Sequence, residues 1–183
     1  LYVYFGSYGL LCYDHNGKEM WSKPIPTPKS LYGMSTSPLG YENTIILVLD
    51  NDSNIKKSQL SQSKIIAFDK SNGATKWIAE RPHHRSGWSS PIIWKHDEGS
   101  ELIVLGNDKV RSYNPVTGSE NWFAGGFSRE TIAIPVVSQN HVFVSSAQLG
   151  GVADNEIDPK PFWEAMLQFD KNKDDKISRT EMV

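Results

Sequence analysis

The chain has 183 residues, with 19 Lys and Arg against 21 Asp and Glu and a formal charge of -2. That is enough for one or two globular domains, and it lacks the basic excess that nucleic acid or an anionic membrane surface would need. No apolar run approaches the roughly 18 residues that cross a bilayer as a helix.

Six Trp lie within the first 163 residues, and helical periodicity is rare before residue 158, so the body is expected to be all-β. The single cysteine, Cys12, sits in Leu10-Leu11-Cys12-Tyr13 and is expected to be a buried thiol, since it has no intrachain partner.

Period-2 alternation and turn residues place the strands in chain order. Three strands run up to about Ile25, four lie between Ser35 and Ala79, four between Ser89 and Ala124, and two between Thr131 and Ser146, 13 in all. Three turns repeat: Tyr13-Asp14-His15-Asn16-Gly17 before Trp21, Phe68-Asp69-Lys70-Ser71-Asn72-Gly73 before Trp77, and Tyr113-Asn114-Pro115-Val116-Thr117-Gly118 before Trp122. In each, Asp or Asn bonds its own backbone, Gly takes a positive φ, and Trp follows four residues later. Ser37-Pro38, Ser90-Pro91 and Ile134-Pro135 recur ahead of the strand clusters. Trp77 and Trp122 are 45 residues apart, the period of a four-stranded propeller blade, whereas Trp21 and Trp77 are 56 apart with the excess in loops. The indoles are expected to be buried between blades, each worth roughly 4–6 kcal/mol before entropy is subtracted.

Ala67-Phe68-Asp69, then Asn72-Gly73 and Trp77, resembles the β-propeller repeat of pyrroloquinoline-quinone-type proteins; Thr117-Gly118 and Trp122 match it too, with Asn114 replacing the Asp. The resemblance covers about residues 1–146 and implies a partial propeller of four-stranded antiparallel blades. Thirteen strands close no ring of such blades, so the rest of the propeller is expected from further chain or from a partner. The resemblance also carries two functional alternatives. One is a piece of a quinone-dependent dehydrogenase, although no residue here is assignable to a quinone site. The other is a scaffold similar to the outer-membrane assembly lipoprotein that shares the repeat. Location outside the cytoplasm, extracellular or periplasmic, is likewise implied by the resemblance.

Two loops stand out between the strands. Asp50-Asn51-Asp52-Ser53-Asn54 is read as a polar hairpin tip, since no later bidentate carboxylate completes a calcium turn. Arg81-Pro82-His83-His84-Arg85-Ser86-Gly87-Trp88 is read as a solvated connector with Trp88 packed on the next strand. No nucleophile elbow, phosphate loop, zinc signature or dinucleotide motif appears, so a non-enzymatic reading is preferred.

Residues 147–157 are read as a linker and 158–183 as a helix followed by a twelve-residue calcium loop. Asp158-Pro159 is expected to start the helix, and Pro161 to Phe169 to carry Phe162, Met166 and Phe169 on one buried stripe. An EF-hand loop draws oxygens from positions 1, 3, 5, 7, 9 and 12, the seventh through its carbonyl and the twelfth through both carboxylate oxygens. Those positions are Asp170, Asn172, Asp174, Lys176, Ser178 and Glu181, and Ile177 is the apolar pin. Position 6, usually Gly, is Asp175, at a cost of roughly 1 kcal/mol and with weakened affinity. Calcium is therefore the expected ligand. The expected function is a calcium-binding propeller module that presents its loop-rich face to a protein or glycan partner.

Overall fold

The computed structural model describes residues 1–30, 33–51, 62–82, 84–128, 131–138, 140–146, 160–174, 176–178 and 180–181. The chain divides into two compact units, Leu1–Ala153 and Asp154–Val183.

The first unit holds four antiparallel sheets. The first is β1 (Tyr2–Phe5), β2 (Gly9–Tyr13) and β3 (Glu19–Lys23); the second is β4 (Leu39–Tyr41), β5 (Thr44–Leu49), β6 (Lys64–Asp69) and β7 (Thr75–Glu80). The third is β8 (Ile92–His96), β9 (Gly99–Gly106), β10 (Lys109–Tyr113) and β11 (Glu120–Ala124), and the fourth is β12 (Val136–Ser138) with β13 (His141–Phe143). Each sheet is ordered as in sequence, the up-and-down meander of a propeller blade, so the all-β expectation and the 13 strands hold.

The middle strands are buried on both faces, which is why they read as unbroken apolar runs. On β5, Ile45, Leu47 and Leu49 pack toward the first sheet with Leu10, Ile66 and Phe68. The alternate residues Ile46 and Val48 join Ile65, Ala67, Leu102 and Val104 between the second and third sheets. Ile103 and Leu105 then face Val142 and Val144 of the fourth. Successive side chains of a strand point to opposite faces, so one blade contributes to two interfaces.

The repeated turns fasten these interfaces. Asp14 Oδ1 accepts from the Asn16 amide at 2.8 Å, Asp69 Oδ1 from the Ser71 amide at 2.8 Å, and Asn114 Oδ1 from the Val116 amide at 2.8 Å. Gly17, Gly73 and Gly118 take φ of 78°, 71° and 77°. Two of the three Trp reach the turn of the following blade, Trp21 Nε1 donating to Lys70 O at 3.0 Å and Trp77 Nε1 to Pro115 O at 3.2 Å, whereas Trp122 Nε1 donates to Glu101 Oε2 of its own sheet at 2.7 Å. The indoles lie so close to Gly73 and Gly118 that an added Cβ would stand 2.8 Å from Trp21 Cε3 and 2.5 Å from Trp77 Cε3. In register, the three Trp face Cys12, Ala67 and Ser112 across the sheet, all small, with a bulge directly after each. Cys12 is thus the small residue of its repeat, a buried free thiol as expected.

The segments that enter the second, third and fourth sheets also run side by side. Ser37 N donates to Ser90 Oγ at 3.0 Å, and Ser89 Oγ to Ala133 O at 2.9 Å.

The second unit contains helix α1 (Lys160–Met166) and a 3₁₀ turn over Leu167–Phe169. The expected buried stripe does not form here: Phe162 is 70% exposed and Phe169 41%. A 3₁₀ turn at three residues per turn keeps Phe169 in line with Met166, so the stripe's spacing survives but neither α1 nor the 3₁₀ turn buries a residue. The Asp158-Pro159 start, the 147–157 linker and Asp175 lie outside the described residues.

Gly17 and Gly118 share the left-handed cost of an added side chain, about 1 kcal/mol, but nothing lies within 4 Å of a Cβ at Gly17. Gly118→Ala should therefore destabilise the protein by a further 1–3 kcal/mol or so through overpacking against Trp77. Urea unfolding of the two variants checks this, and equal losses at both positions would contradict the docking role.

Candidate functional site

The twelve-residue loop is folded on itself by its own oxygens. Asp174 N donates to Asp170 Oδ1 at 3.3 Å and to Asn172 Oδ1 at 3.1 Å, so the side chains of positions 1 and 3 converge on one amide. Lys176 N donates to Asp174 Oδ1 at 2.9 Å, which turns position 5 back toward the chain. Lys173 absorbs the left-handed bend at φ 56°.

Glu181 closes the ring. Only 8% of it is exposed. Its Oε1 accepts from the Lys171 and Asn172 amides at 3.1 and 3.3 Å, and its Oε2 from the Ser178 amide at 2.8 Å and the Ser178 hydroxyl at 2.7 Å. Those bonds, the Ser178 hydroxyl first, hold its carboxyl below the usual range and so keep it charged. Ile177 is half-buried. Three carboxylates, an amide oxygen, a hydroxyl and a carbonyl form an all-oxygen donor set, the chemistry that suits Ca²⁺. Asp170, Asn172, Asp174, Ser178 and Glu181 would hold the ion through side chains and Lys176 through its carbonyl. Among the described residues no three Asp, Glu, His or Cys side chains are gathered at metal-holding separation. The loop carboxylates are satisfied by amides and hydroxyls, which the ion would have to replace.

A second constellation, in the propeller unit, is not apparent from sequence. Asp50 follows β5 and Arg81 follows β7; they are 3% and 1% exposed. Arg81 Nε donates to Asp50 Oδ1 at 2.9 Å and Nη2 to Oδ2 at 2.8 Å, a two-pronged pair, while Nη1 donates to the Tyr113 hydroxyl. Burial pushes the Asp50 carboxyl up, against the pull of Arg81. Burial alone would lower the Arg81 guanidinium, but Asp50 raises it and keeps it charged.

This corrects the reading of both loops. The start of the 50–54 segment is not an exposed polar tip: Asp50 and Asn51 are buried, and the Asn51 amide donates to Ser63 Oγ at 2.9 Å. Asp52, Ser53 and Asn54 lie outside the described residues. The 81–88 connector is not a solvated loop either, since Ser86 N donates to Asn51 O at 2.7 Å and Ser63 Oγ to His84 O at 2.7 Å. His83 lies outside the described residues. The available signal was position: a charged residue directly after a strand buried on both faces must find a partner or force the strand end open.

His84 belongs to the same network. Its Nδ1 lies 3.3 Å from Pro82 O and its buried Nε2 has no hydrogen-bond partner. Burial first, then the charges of Arg81 and Arg111, lower its pKa to about 3.

Two measurements probe this network. Asp50→Ala leaves the Arg81 cation buried and unpaired and should cost about 3–5 kcal/mol in urea unfolding; a loss under 1 kcal/mol would mean the pair relaxes into water. For His84 the folded pKa lies below the unfolded value near 6.5, so its contribution is complete above pH 6.5 and is lost as pH falls toward about 3. The stability difference between the parent and His84→Gln should therefore change steadily across that window and be flat above pH 7.

No curated protein matches the chain. Among solved structures it is similar to the crystal structure of BamB from Moraxella catarrhalis, with 14% identity and a TM-score of 0.49 over 75% of this chain and 37% of that one. The chain thus spans little more than a third of that protein's length. The family described as outer membrane protein assembly factor BamB matches residues 1–153. With well over half of its length matched, and with Trp-docked four-stranded sheets in that region, the chain belongs to this family of pyrroloquinoline-quinone-like propellers.

Proposed function

We propose that this chain is a calcium-binding, non-enzymatic propeller module that works outside the cytoplasm and presents loops from one end of its blades to a protein or glycan partner. The observation that carries the reading is the Glu181 carboxylate, folded inward across the loop onto residues 171, 172 and 178. A position-12 carboxylate already turned inward across the loop needs little side-chain ordering to become a bidentate ligand once the ion replaces its amide and hydroxyl donors.

The loop-rich end is supported by topology. The β5–β6 and β7–β8 connections emerge at the same end of the second sheet, and an Asn51 to Arg85 bridge joins them. Rigidly based loops are where recognition residues gather. The ion pair of Asp50 and Arg81 supplies that base.

The family match favours a more specific version, a scaffold in outer-membrane protein assembly, because the matching family is described by that role. Such a scaffold would meet its partner through the same loops, and calcium at the Asp170–Glu181 loop suits a compartment where the ion is millimolar. A dissociation constant of about 10⁻⁴–10⁻³ M belongs to sites of that kind.

Calorimetric titration of the whole chain with calcium should give saturable heat with an affinity in this class. A hundredfold excess over Kd should add about 2.7 kcal/mol to the stability of whatever part binds the ion. Glu181→Gln should abolish the heat while leaving the propeller's unfolding transition in place. Absence of heat from the parent chain, or an undiminished signal from the variant, would remove the proposal.

A further inference from the structure

A cleft of about 520 Å³ lies between the first and second sheets, apart from the calcium loop. Its floor is Leu49, Ile66 and Phe68 of β5 and β6. Its wall is the segment 24–29, Pro24-Ile25-Pro26-Thr27-Pro28-Lys29, in which prolines alternate with other residues. Lys23, Lys29 and Lys64 stand around it.

Three features define what this cleft can hold. The first is stiffness. Three of the wall's six residues have φ fixed by a ring, and the segment is tied at both sides, Thr27 Oγ1 donating to Gly6 O and Lys29 N donating to Asn51 Oδ1 at 2.7 Å. The cleft is therefore preformed, and a ligand would bear little ordering cost. The second is the wall's chemistry. Pro24, Pro26 and Pro28 offer no N–H, and the Lys29 amide is already used, so the wall presents flat pyrrolidine rings and aliphatic surface, with few donors. Rings of this kind pack well against a flat aromatic face. The third is charge. Among the described residues no carboxylate lies within ion-pair distance of Lys23, Lys29 or Lys64, although Glu80 is opposite Lys64 in register. Among the described residues, three cations around one cleft, with Glu80 opposite Lys64, leave a local excess of positive charge.

We propose that the cleft between the first two blades binds a small organic anion, an aromatic or alicyclic body bearing a carboxylate or sulfonate. The body lies against the proline wall over Leu49, Ile66 and Phe68, and the head group is held by the lysines as point charges. The volume is within the range of small-molecule sites. A predominantly apolar lining with a few convergent charges fixes such a ligand's orientation through its head. The site draws nothing from the calcium loop, so the failure of either reading leaves the other standing.

The probe is 8-anilinonaphthalene-1-sulfonate, titrated by fluorescence against the full chain, with N-phenyl-1-naphthylamine as its neutral counterpart. Saturable one-to-one binding of the sulfonate is expected, at least tenfold tighter than that of the neutral compound. Lys29→Glu and Lys64→Glu should each weaken it at least tenfold, whereas Lys18→Glu, in the exposed turn after β2, should leave it unchanged. Urea unfolding of the same variants verifies that they are folded, and amide chemical-shift changes on binding should concentrate in residues 23–29 and 64–68. Absence of saturable binding, equal affinity for the charged and neutral probes, insensitivity to both lysine reversals, or shifts centred elsewhere would each overturn the proposal.

Discussion

The docking of Trp21 and Trp77, each onto the turn of the next blade, is the constraint from which the rest of the propeller unit follows. An indole held flat against a glycine, with its N–H on a turn carbonyl, fixes the distance and rotation between neighbouring sheets at one point on their outer rim. That single geometry explains several residue choices at once. The turn needs Asp or Asn to fold back on its own amides, glycine where the ring presses, and a small residue, Cys12, Ala67 or Ser112, opposite the Trp so that the ring can tilt toward its neighbour. With the rim fixed, the apolar middle strands meet at a constant spacing and bury both faces.

At the other margin of the blades the means are polar. Asp50 and Arg81 end β5 and β7 in a position that water scarcely reaches, and each satisfies the other while Tyr113 takes a remaining guanidinium donor. A buried pair is weak evidence for net stability but strong evidence for a defined arrangement, because neither partner tolerates the other's absence. Here it anchors the ends of two long connections on a common base. Asn51, Ser63, His84 and Ser86 extend the anchorage through hydrogen bonds that join the loops to one another. The packed strands and the described ends of the two connections are thus joined by one layer of mutually bonded polar groups.

What the sequence made legible was whatever is local and repeated. The apolar runs Ile45–Leu49 and Leu102–Leu105, the three Asx-to-Gly turns four residues before Trp, and the prolines Pro38, Pro91 and Pro135 ahead of the strand clusters marked the strands and their grouping, since each signal arises within a few residues. The loop from Asp170 to Glu181 was read the same local way, from the spacing of its oxygen-bearing residues within twelve positions. Long-range polar pairing was not: nothing near Asp50 announces Arg81, 31 residues away, so two loops with charged ends read as solvated. The stripe of Phe162, Met166 and Phe169 failed differently. Its spacing states which side chains share a side of the helix and not that another element covers them: neither α1 nor the 3₁₀ turn buries a residue. The cleft beside the proline segment had no sequence signal, because its wall and floor belong to different blades.

The two units rest on opposite sources of order. The propeller unit would hold its shape from packing alone. The described helix of the second unit buries no residue, and its aromatic side chains are largely in solvent, so its local order depends on the loop's hydrogen bonds. Those bonds concentrate on carboxylates, and above all on Glu181, whose two oxygens bring residues 171, 172 and 178 together. A carboxylate used in this way is a substitute for a cation's ligand sphere seen from the other side: it gathers donors where the ion would gather acceptors. Exchanging Ser178 and the amides for a doubly charged centre replaces four modest bonds by a stronger and less directional attraction. If the proposed ion binds there, metal affinity and loop order would be one quantity, the coupling expected wherever a small element lacks a core of its own.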